Sequence, residues 1–211
     1  MKNKTLWLAA LAISLTAPAA TLYDAGTYNG SGGNNTVEGY IGDDFILLAM
    51  SDLTGIRFWT LEGTAGYLGS INWEIRSNSS NSPGAIIASG NANPTRTNVG
   101  TALSLTVYQN DLSLSVNGLA AGTYWFAIHD GLDSNVDPNP EFYWAWADLN
   151  ATNTPTNRGR EFLIGGSTWD TVSQEHAFLV QGDQTAATPE PAAGFLLGAG
   201  LLATALRFRK N

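Results

Sequence analysis

The sequence contains no cysteine among its 211 residues. A chain without cysteine forms neither a disulfide bond nor a zinc site built on thiolates. Helical periodicity is also nearly absent from the middle of the chain, where apolar and polar residues alternate instead. We therefore expect a fold that depends on β-strands and on hydrophobic packing.

Positive charge is scarce between the two ends of the chain. Lysine is absent there, and five arginines are the only strongly basic residues between positions 20 and 191. All eighteen acidic residues lie in the same part, which gives it a net charge of −13. Such a surface repels nucleic acid and anionic lipid. Nucleic-acid binding is excluded, and cations or neutral sugars are the expected partners.

Groups that commonly drive catalysis are few. Cysteine nucleophiles, central lysines and a Gly-x-Ser-x-Gly motif are all missing. His129 and His176 are the only imidazoles, and each lies at the end of or within an alternating segment, where a structural role is expected. We expect a protein that is not an enzyme. A glycosidase built on two carboxylates about 5–10 Å apart is the alternative that the sequence leaves open.

The N-terminus has the order of a secretory signal peptide. Lys2 and Lys4 precede an uncharged run at residues 6–15, and Ala17-Pro18-Ala19 supplies small residues before a cleavage point. This run is too short for a membrane anchor. Residues 1–19 are therefore predicted to be a signal peptide, and the chain is predicted to be exported.

The C-terminal residues 186–211 combine three elements. The triplet Pro189, Glu190, Pro191 comes first, and a run without charge follows at 192–206. As a helix that run would span about 22 Å, less than a hydrocarbon core of about 30 Å. A basic tip closes the chain with Arg207, Arg209 and Lys210. Basic residues beside an apolar segment stay cytoplasmic, so the central part is expected outside, with the tail inserted only transiently in the inner membrane.

This tail resembles the PEP-CTERM sorting signal of Gram-negative bacteria. The resemblance implies that an exosortase-type membrane protease recognises Pro189, Glu190 and Pro191 and removes the segment behind them. It also implies delivery to the cell surface or extracellular matrix, because exported proteins with this signal are commonly associated with exopolysaccharide and biofilm. An ordinary single-pass anchor is the alternative.

The central part shows a second, looser resemblance. The segments LYDAGTYNG, GIRFWTLEG, SINWEIRS and LAAGTYWFAIHDG within residues 22–147 resemble a block order found in many exported PEP-CTERM proteins. The resemblance implies a shared fold and location, and it implies no activity.

Residues 20–185 are predicted to form one all-β domain, a jelly-roll-like antiparallel β-sandwich. A signal-peptide helix and a C-terminal transmembrane helix are predicted to flank it. Clusters of Asn, Ser, Pro and Gly separate short alternating segments, as turns separate strands. The predicted strands cover residues 54–61, 71–76, 84–89, 103–108, 112–116, 123–129, 142–147 and 175–181.

An acidic loop at residues 130–141 is the most distinctive polar stretch. Asp133, Asn135 and Asp137 stand at alternate positions, the spacing at which oxygen ligands of a Ca²⁺ loop converge. Pro138 and Trp144 stand where an EF-hand requires Gly and Glu, so the loop is not an EF-hand. The three residues are a candidate Ca²⁺ site, and a solvated turn held by Asx hydrogen bonds is the alternative.

Two tryptophans follow this loop. Trp144 and Trp146 are predicted to share a strand face, and exposed indoles stack on sugar rings, although core packing is expected for most tryptophans. The expected function is a structural or interaction role beside extracellular polysaccharide. A carbohydrate-binding module that uses Trp144 and Trp146, with or without Ca²⁺, is the main alternative, and a glycan hydrolase is the second.

Overall fold

The structure, a computed structural model, describes residues 19–64, 66–131, 141–148, 159–163, 167–172 and 174–185. These residues form thirteen β-strands. In chain order the strands are β1 (Ala20–Asp24), β2 (Tyr28–Asn35), β3 (Gly39–Leu47), β4 (Ser51–Glu62), β5 (Ile71–Asn78), β6 (Pro83–Ala92), β7 (Thr95–Ala102), β8 (Leu105–Leu119), β9 (Gly122–Asp130), β10 (Phe142–Ala147), β11 (Arg160–Leu163), β12 (Asp170–Thr171) and β13 (Phe178–Gln184).

The strands form two antiparallel sheets. In the first sheet, β4 pairs with β8 on one side and with both β13 and β10 on the other, while β7, β1 and β2 lie at the edges. In the second sheet the strand order is β12, β11, β3, β9, β5, β6. The prediction of an all-β fold with antiparallel sheets is confirmed.

The main core lies between the two sheets. Fully buried side chains come from both of them, such as Ile41 and Phe45 of β3, and Ile56 and Phe58 of β4. Phe58 contacts Phe126 of β9 across the interface, with ring centroids 6.1 Å apart. Because alternate residues of a strand share a face, each sheet presents one apolar face to the other, which is how a sandwich buries its hydrophobic residues.

Three predicted strands agree well with the structure, although only the first of them alternates strictly. The segments predicted at 71–76, 123–129 and 142–147 coincide with β5, β9 and β10. The strands predicted at 103–108 and 112–116 are parts of the single strand β8, and Leu103 lies instead in a turn with φ of 52°. Strand β2 was missed, because its sequence YNGSGGNN carries no apolar alternation and is held by pairing with β10.

Several predictions lie outside the residues that the structure describes. They are the signal peptide, the sorting signal with its apolar run, and the candidate Ca²⁺ residues Asp133, Asn135 and Asp137. Within the described part of the chain, no helix is long and apolar enough to cross a membrane.

Candidate functional site

The interior face of β4 changes from apolar to polar towards the end of the strand. Thr60 and Glu62 continue the row that Phe58 begins in the core, since alternate residues share a face. Thr60 is fully buried, and Glu62 is 3% exposed. Asn110 of β8, which pairs with Phe58, is fully buried as well. Polar groups buried this deeply require hydrogen-bond partners, because desolvation without them is costly.

These partners form a closed network that also includes Arg96 of β7. The Asn110 amide donates to Thr60 Oγ1 at 2.9 Å, and the Thr60 hydroxyl donates to Glu62 Oε1 at 2.5 Å. Arg96 donates from one Nη to Glu62 Oε2 and from Nε to Asn110 Oδ1 at 3.2 Å. Both carboxylate oxygens of Glu62 are therefore occupied, and the Arg96 guanidinium is held in one orientation.

Two tyrosine rings fix the guanidinium further. Arg96 Cζ lies 3.9 Å from the ring centroid of Tyr67 and 4.2 Å from that of Tyr108, within the range of cation–π contacts. Tyr67 itself stacks on Phe142 at 5.9 Å and donates from its hydroxyl to Asn93 Oδ1 at 2.9 Å. Burial raises the pKa of Tyr67 to about 12, so its hydroxyl stays protonated at neutral pH.

A cavity of about 470 Å³ opens beside this network. That volume lies in the range of about 300–1,000 Å³ that is usual for small-molecule sites. Side-chain hydroxyls and the Arg96–Glu62 pair dominate its wall. The lining residues are Glu62, Gly63, Thr64, Gly66, Tyr67, Arg96, Ser104, Thr106 and Tyr108.

Many polar groups of this wall remain available to a ligand. The hydroxyls of Thr64, Ser104, Thr106 and Tyr108 have no hydrogen-bond partner among the described residues, and neither has the second Nη of Arg96. Of the described residues lining the cavity, Glu62 is the sole carboxylate. The wall can therefore form several hydrogen bonds to a polar, uncharged molecule.

The hairpin between β7 and β8 borders the cavity with an unusual turn. Leu103 and Ser104 both have positive φ, 52° and 67°. This combination is typical of a type I′ turn, which favours Asn and Gly. Leu103 is also 61% exposed. A bulky residue in left-handed backbone costs roughly 1–3 kcal/mol and commonly marks a functional segment.

A second polar cluster is buried on β3. Asp43 Oδ2 accepts from the backbone N–H of His176 at 2.5 Å and lies 3.0 Å from its Nδ1, while Asp43 Oδ1 accepts from the Asp44 N–H at 2.9 Å. Carboxylate oxygens of Asp43, Asp44 and Glu175 lie within 4.8 Å of one another. Carboxylates at such a spacing are a ligand set that suits a hard cation such as Ca²⁺.

The Asp43–His176 contact is a neutral hydrogen bond. Burial raises the pKa of Asp43 to about 8 and lowers the pKa of His176 to about 3. Asn34 Oδ1 accepts from Trp146 Nε1 at 2.7 Å and faces His176 Nε2 at 3.1 Å. Since that oxygen only accepts, Nε2 carries the imidazole hydrogen, and Nδ1 is left as an acceptor that faces Asp43 Oδ2.

The structure corrects the prediction that Trp144 lines a ligand groove. Trp144 is fully buried in the main core, edge-on to Phe126 with ring centroids 5.4 Å apart. Its indole N–H donates to the carbonyl of Ala177 at 3.1 Å. The ring is enclosed because this position of β10 faces the second sheet, so it offers no surface to a sugar.

Trp146 is placed differently from Trp144. The pairing of β10 with β2 shifts register between Ala145 and Ala147, and Trp146 is half-buried against Gly32. With Tyr143 and Leu103 it lines a second, apolar cavity of about 160 Å³. The two tryptophans therefore do not form the predicted shared surface.

The two histidines are both fully buried. His129 Nε2 lies 3.2 Å from the carbonyl oxygen of Val37, and its ring is 5.4 Å from that of Tyr40. Neither imidazole faces the larger cavity.

Sequence reasoning missed the cavity residues Glu62, Arg96, Tyr67 and Tyr108. One signal was present, because an acidic residue continues the interior row of β4 where an apolar one is expected. Its partner Arg96 lies 34 positions away along the chain, and only the pairing of β7 with β8 and β8 with β4 brings the two together.

Comparison with known proteins identifies the C-terminal segment. Residues 187–210 match the family model of the PEP-CTERM protein-sorting motif. The match confirms the predicted sorting signal, and a signal of this kind implies an exported chain that an exosortase-type membrane protease sorts. No curated protein and no solved structure matches the chain.

Proposed function

We propose that this chain is an exported, non-enzymatic β-sandwich protein that serves a structural or interaction role beside extracellular polysaccharide at the cell surface or in the matrix. The observation that carries the proposal is the sorting motif at residues 187–210. A signal-peptide pattern lies at the other end of the chain, at residues 1–19. Both ends therefore direct the sandwich out of the cell.

The absence of catalytic function is part of the proposal. Two observations support it: both imidazoles are fully buried, and the larger cavity holds one carboxylate among its described lining residues. That carboxylate, Glu62, already accepts two hydrogen bonds. A general acid needs contact with the reacting group, and the buried imidazoles offer none.

The interaction role is supported by charge and by the cavity. Between residues 20 and 191 the chain carries −13 charges, which disfavours anionic polymers and leaves neutral glycans as partners. The larger cavity presents hydroxyls and a paired arginine to solvent, a wall that suits hydrogen bonding to an uncharged polyhydroxyl molecule.

The test expresses the full-length gene in a Gram-negative host that contains an exosortase, and in the same host without it. With the protease, we expect the surface and matrix fractions to contain a form that lacks the residues behind the Pro189-Glu190-Pro191 triplet, identified by intact mass. The double variant Pro189→Ala/Pro191→Ala should remain uncleaved. Pro155→Ala, a proline outside the matched segment, should be processed normally.

Two outcomes contradict the proposal. An intact chain that stays in the inner membrane of the exosortase-containing host would refute the sorting. Release of new reducing ends from polysaccharide by the purified protein would refute the non-enzymatic role.

A further inference from the structure

We propose that the cavity lined by Glu62, Tyr67, Arg96, Ser104, Thr106 and Tyr108 is a binding site for a neutral sugar unit of a polysaccharide. We name it the Arg96 cavity. The inference rests on the proposed function, and it replaces the predicted Trp144–Trp146 pair as the place where a glycan binds.

Charge selects an uncharged ligand. Arg96 and Glu62 are the only charged residues among the described lining residues, and they neutralise each other. An anionic sugar would have to compete with Glu62 for the guanidinium in a protein whose central part carries −13 charges. A cationic ligand would find both Glu62 oxygens already bonded.

The remaining hydrogen-bonding groups suit sugar hydroxyls. A hydroxyl group both donates and accepts, and the wall offers both functions: the hydroxyls of Ser104, Thr106 and Tyr108, and the donor-only second Nη of Arg96. These groups have no partner among the described residues. A polyhydroxyl ligand can therefore bond to several of them at once without breaking an existing bond.

The site is rigid before any ligand arrives. The hydrogen-bond network of Thr60, Glu62 and Asn110 fixes the Arg96 side chain. The rings of Tyr67 and Tyr108 hold its guanidinium by cation–π contacts. Preorganised groups lose little entropy on binding, which raises affinity.

Two exposed residues connect the cavity to solvent. Ser104, at the tip of the β7–β8 hairpin, and Thr64, on the opposite connection, are both exposed. Because these lining residues are exposed, a sugar unit can reach the cavity from solvent.

The experiment is affinity electrophoresis of protein expressed from the full-length gene, in gels containing dextran, galactomannan or arabinoxylan, with alginate as the anionic polymer. We expect at least one neutral polymer to retard the protein, and alginate to leave it unretarded. The variant Thr106→Val/Tyr108→Phe removes two cavity hydroxyls but keeps side-chain volume. It should weaken binding about tenfold or more, since two hydrogen bonds to the ligand are lost.

The matched control is Thr101→Val/Tyr28→Phe, which makes the same two changes at residues that do not line the cavity. It should bind like the wild type, and thermal unfolding of both variants checks that they fold. Retardation by no neutral polymer, equal binding by both variants, or retardation by alginate alone would overturn the inference. Fractionation of the cells tests the proposed function independently of glycan binding. A protein that reaches the matrix but binds no glycan refutes only the role of the Arg96 cavity. A protein retained in the inner membrane refutes the proposed function.

Discussion

The ionisation of Asp43 and His176 is coupled to folding. Both are fully buried and lie 3.0 Å apart. Burial raises the pKa of Asp43 from 3.8 to about 8 and lowers the pKa of His176 from 6.5 to about 3. Unfolding returns both groups to their ordinary values, so protons are released or taken up and stability depends on pH.

The two residues predict a specific pH profile. Asp43 favours the folded state at low pH, and this contribution is lost as pH rises from 3.8 to about 8. His176 has the opposite sign, because its contribution is lost as pH falls from 6.5 to about 3. The free energy of unfolding should therefore be level between about pH 4 and 6.5, where the two effects cancel. It should fall by about 2 kcal/mol between pH 6.5 and 8.

Urea denaturation at a series of pH values measures this profile. Asp43→Asn should remove the fall above pH 6.5 and uncover a rise between pH 3 and 6.5 that belongs to His176. Asp183→Asn, which changes an exposed carboxylate on β13, is the control and should keep the wild-type shape. If the free energy of unfolding of Asp43→Asn still falls above pH 6.5, then Asp43 is not the group that loses a proton in that range.

At the scale of the element, the β7–β8 hairpin keeps a turn that its residues do not favour. Leu103 and Ser104 adopt φ of 52° and 67°. The corresponding turn between β5 and β6 places Ser80 and Asn81 at 52° and 61°, and asparagine tolerates this conformation better than leucine. The strain in the β7–β8 hairpin is therefore the larger of the two.

Relief of this strain should stabilise the protein. The variant Leu103→Asn/Ser104→Gly supplies the preferred type I′ pair and should raise the free energy of unfolding by about 1 kcal/mol. Little packing is lost, because Leu103 is 61% exposed. Chemical denaturation measures the change. Asn81→Gly in the β5–β6 turn is the comparison and should gain a few tenths of a kcal/mol at most. A destabilised double variant would mean that Leu103 contributes more by packing than its backbone costs.

At the scale of the whole molecule, excess negative charge opposes folding. Its local effect is visible at Glu161, whose pKa is raised by burial and also by the nearby carboxylates of Glu38 and Asp170. Residues 20–191 have a net charge of −13. Repulsion between acidic side chains therefore extends over the surface, and dissolved salt screens it.

The melting temperature should therefore rise with ionic strength. Between about 10 and about 150 mM NaCl we expect the melting temperature to rise by roughly 2–4 °C. At the upper end of this range the Debye length has fallen to about 8 Å, and most of the repulsion is screened. Differential scanning calorimetry measures it. Glu38→Gln/Asp170→Asn should reduce the salt response, while the charge-preserving pair Glu38→Asp/Asp170→Glu should not. A melting temperature that falls with salt would show that ion pairs such as Arg57–Asp111, with its 2.6 Å contact, outweigh the repulsion.

The sequence by itself identified the sorting signal of the protein and the class of its fold. Sorting signals are read as short contiguous segments, so the triplet Pro189-Glu190-Pro191 could be recognised without any fold, and the family match at residues 187–210 confirms it. Strict alternation likewise located β5, and short apolar and aromatic runs between turn clusters located β9 and β10, because these patterns are local properties of the chain.

Only the tertiary structure decided which residues meet. Trp144 and Trp146 looked equivalent in the sequence, yet a register shift separates them, and one is enclosed in the core. The Arg96 cavity depends on residues from β4, β7, β8 and the connection after β4. Such a site has no local pattern, because pairing between distant strands creates its geometry, and that pairing is set by how the two sheets bury their apolar faces together.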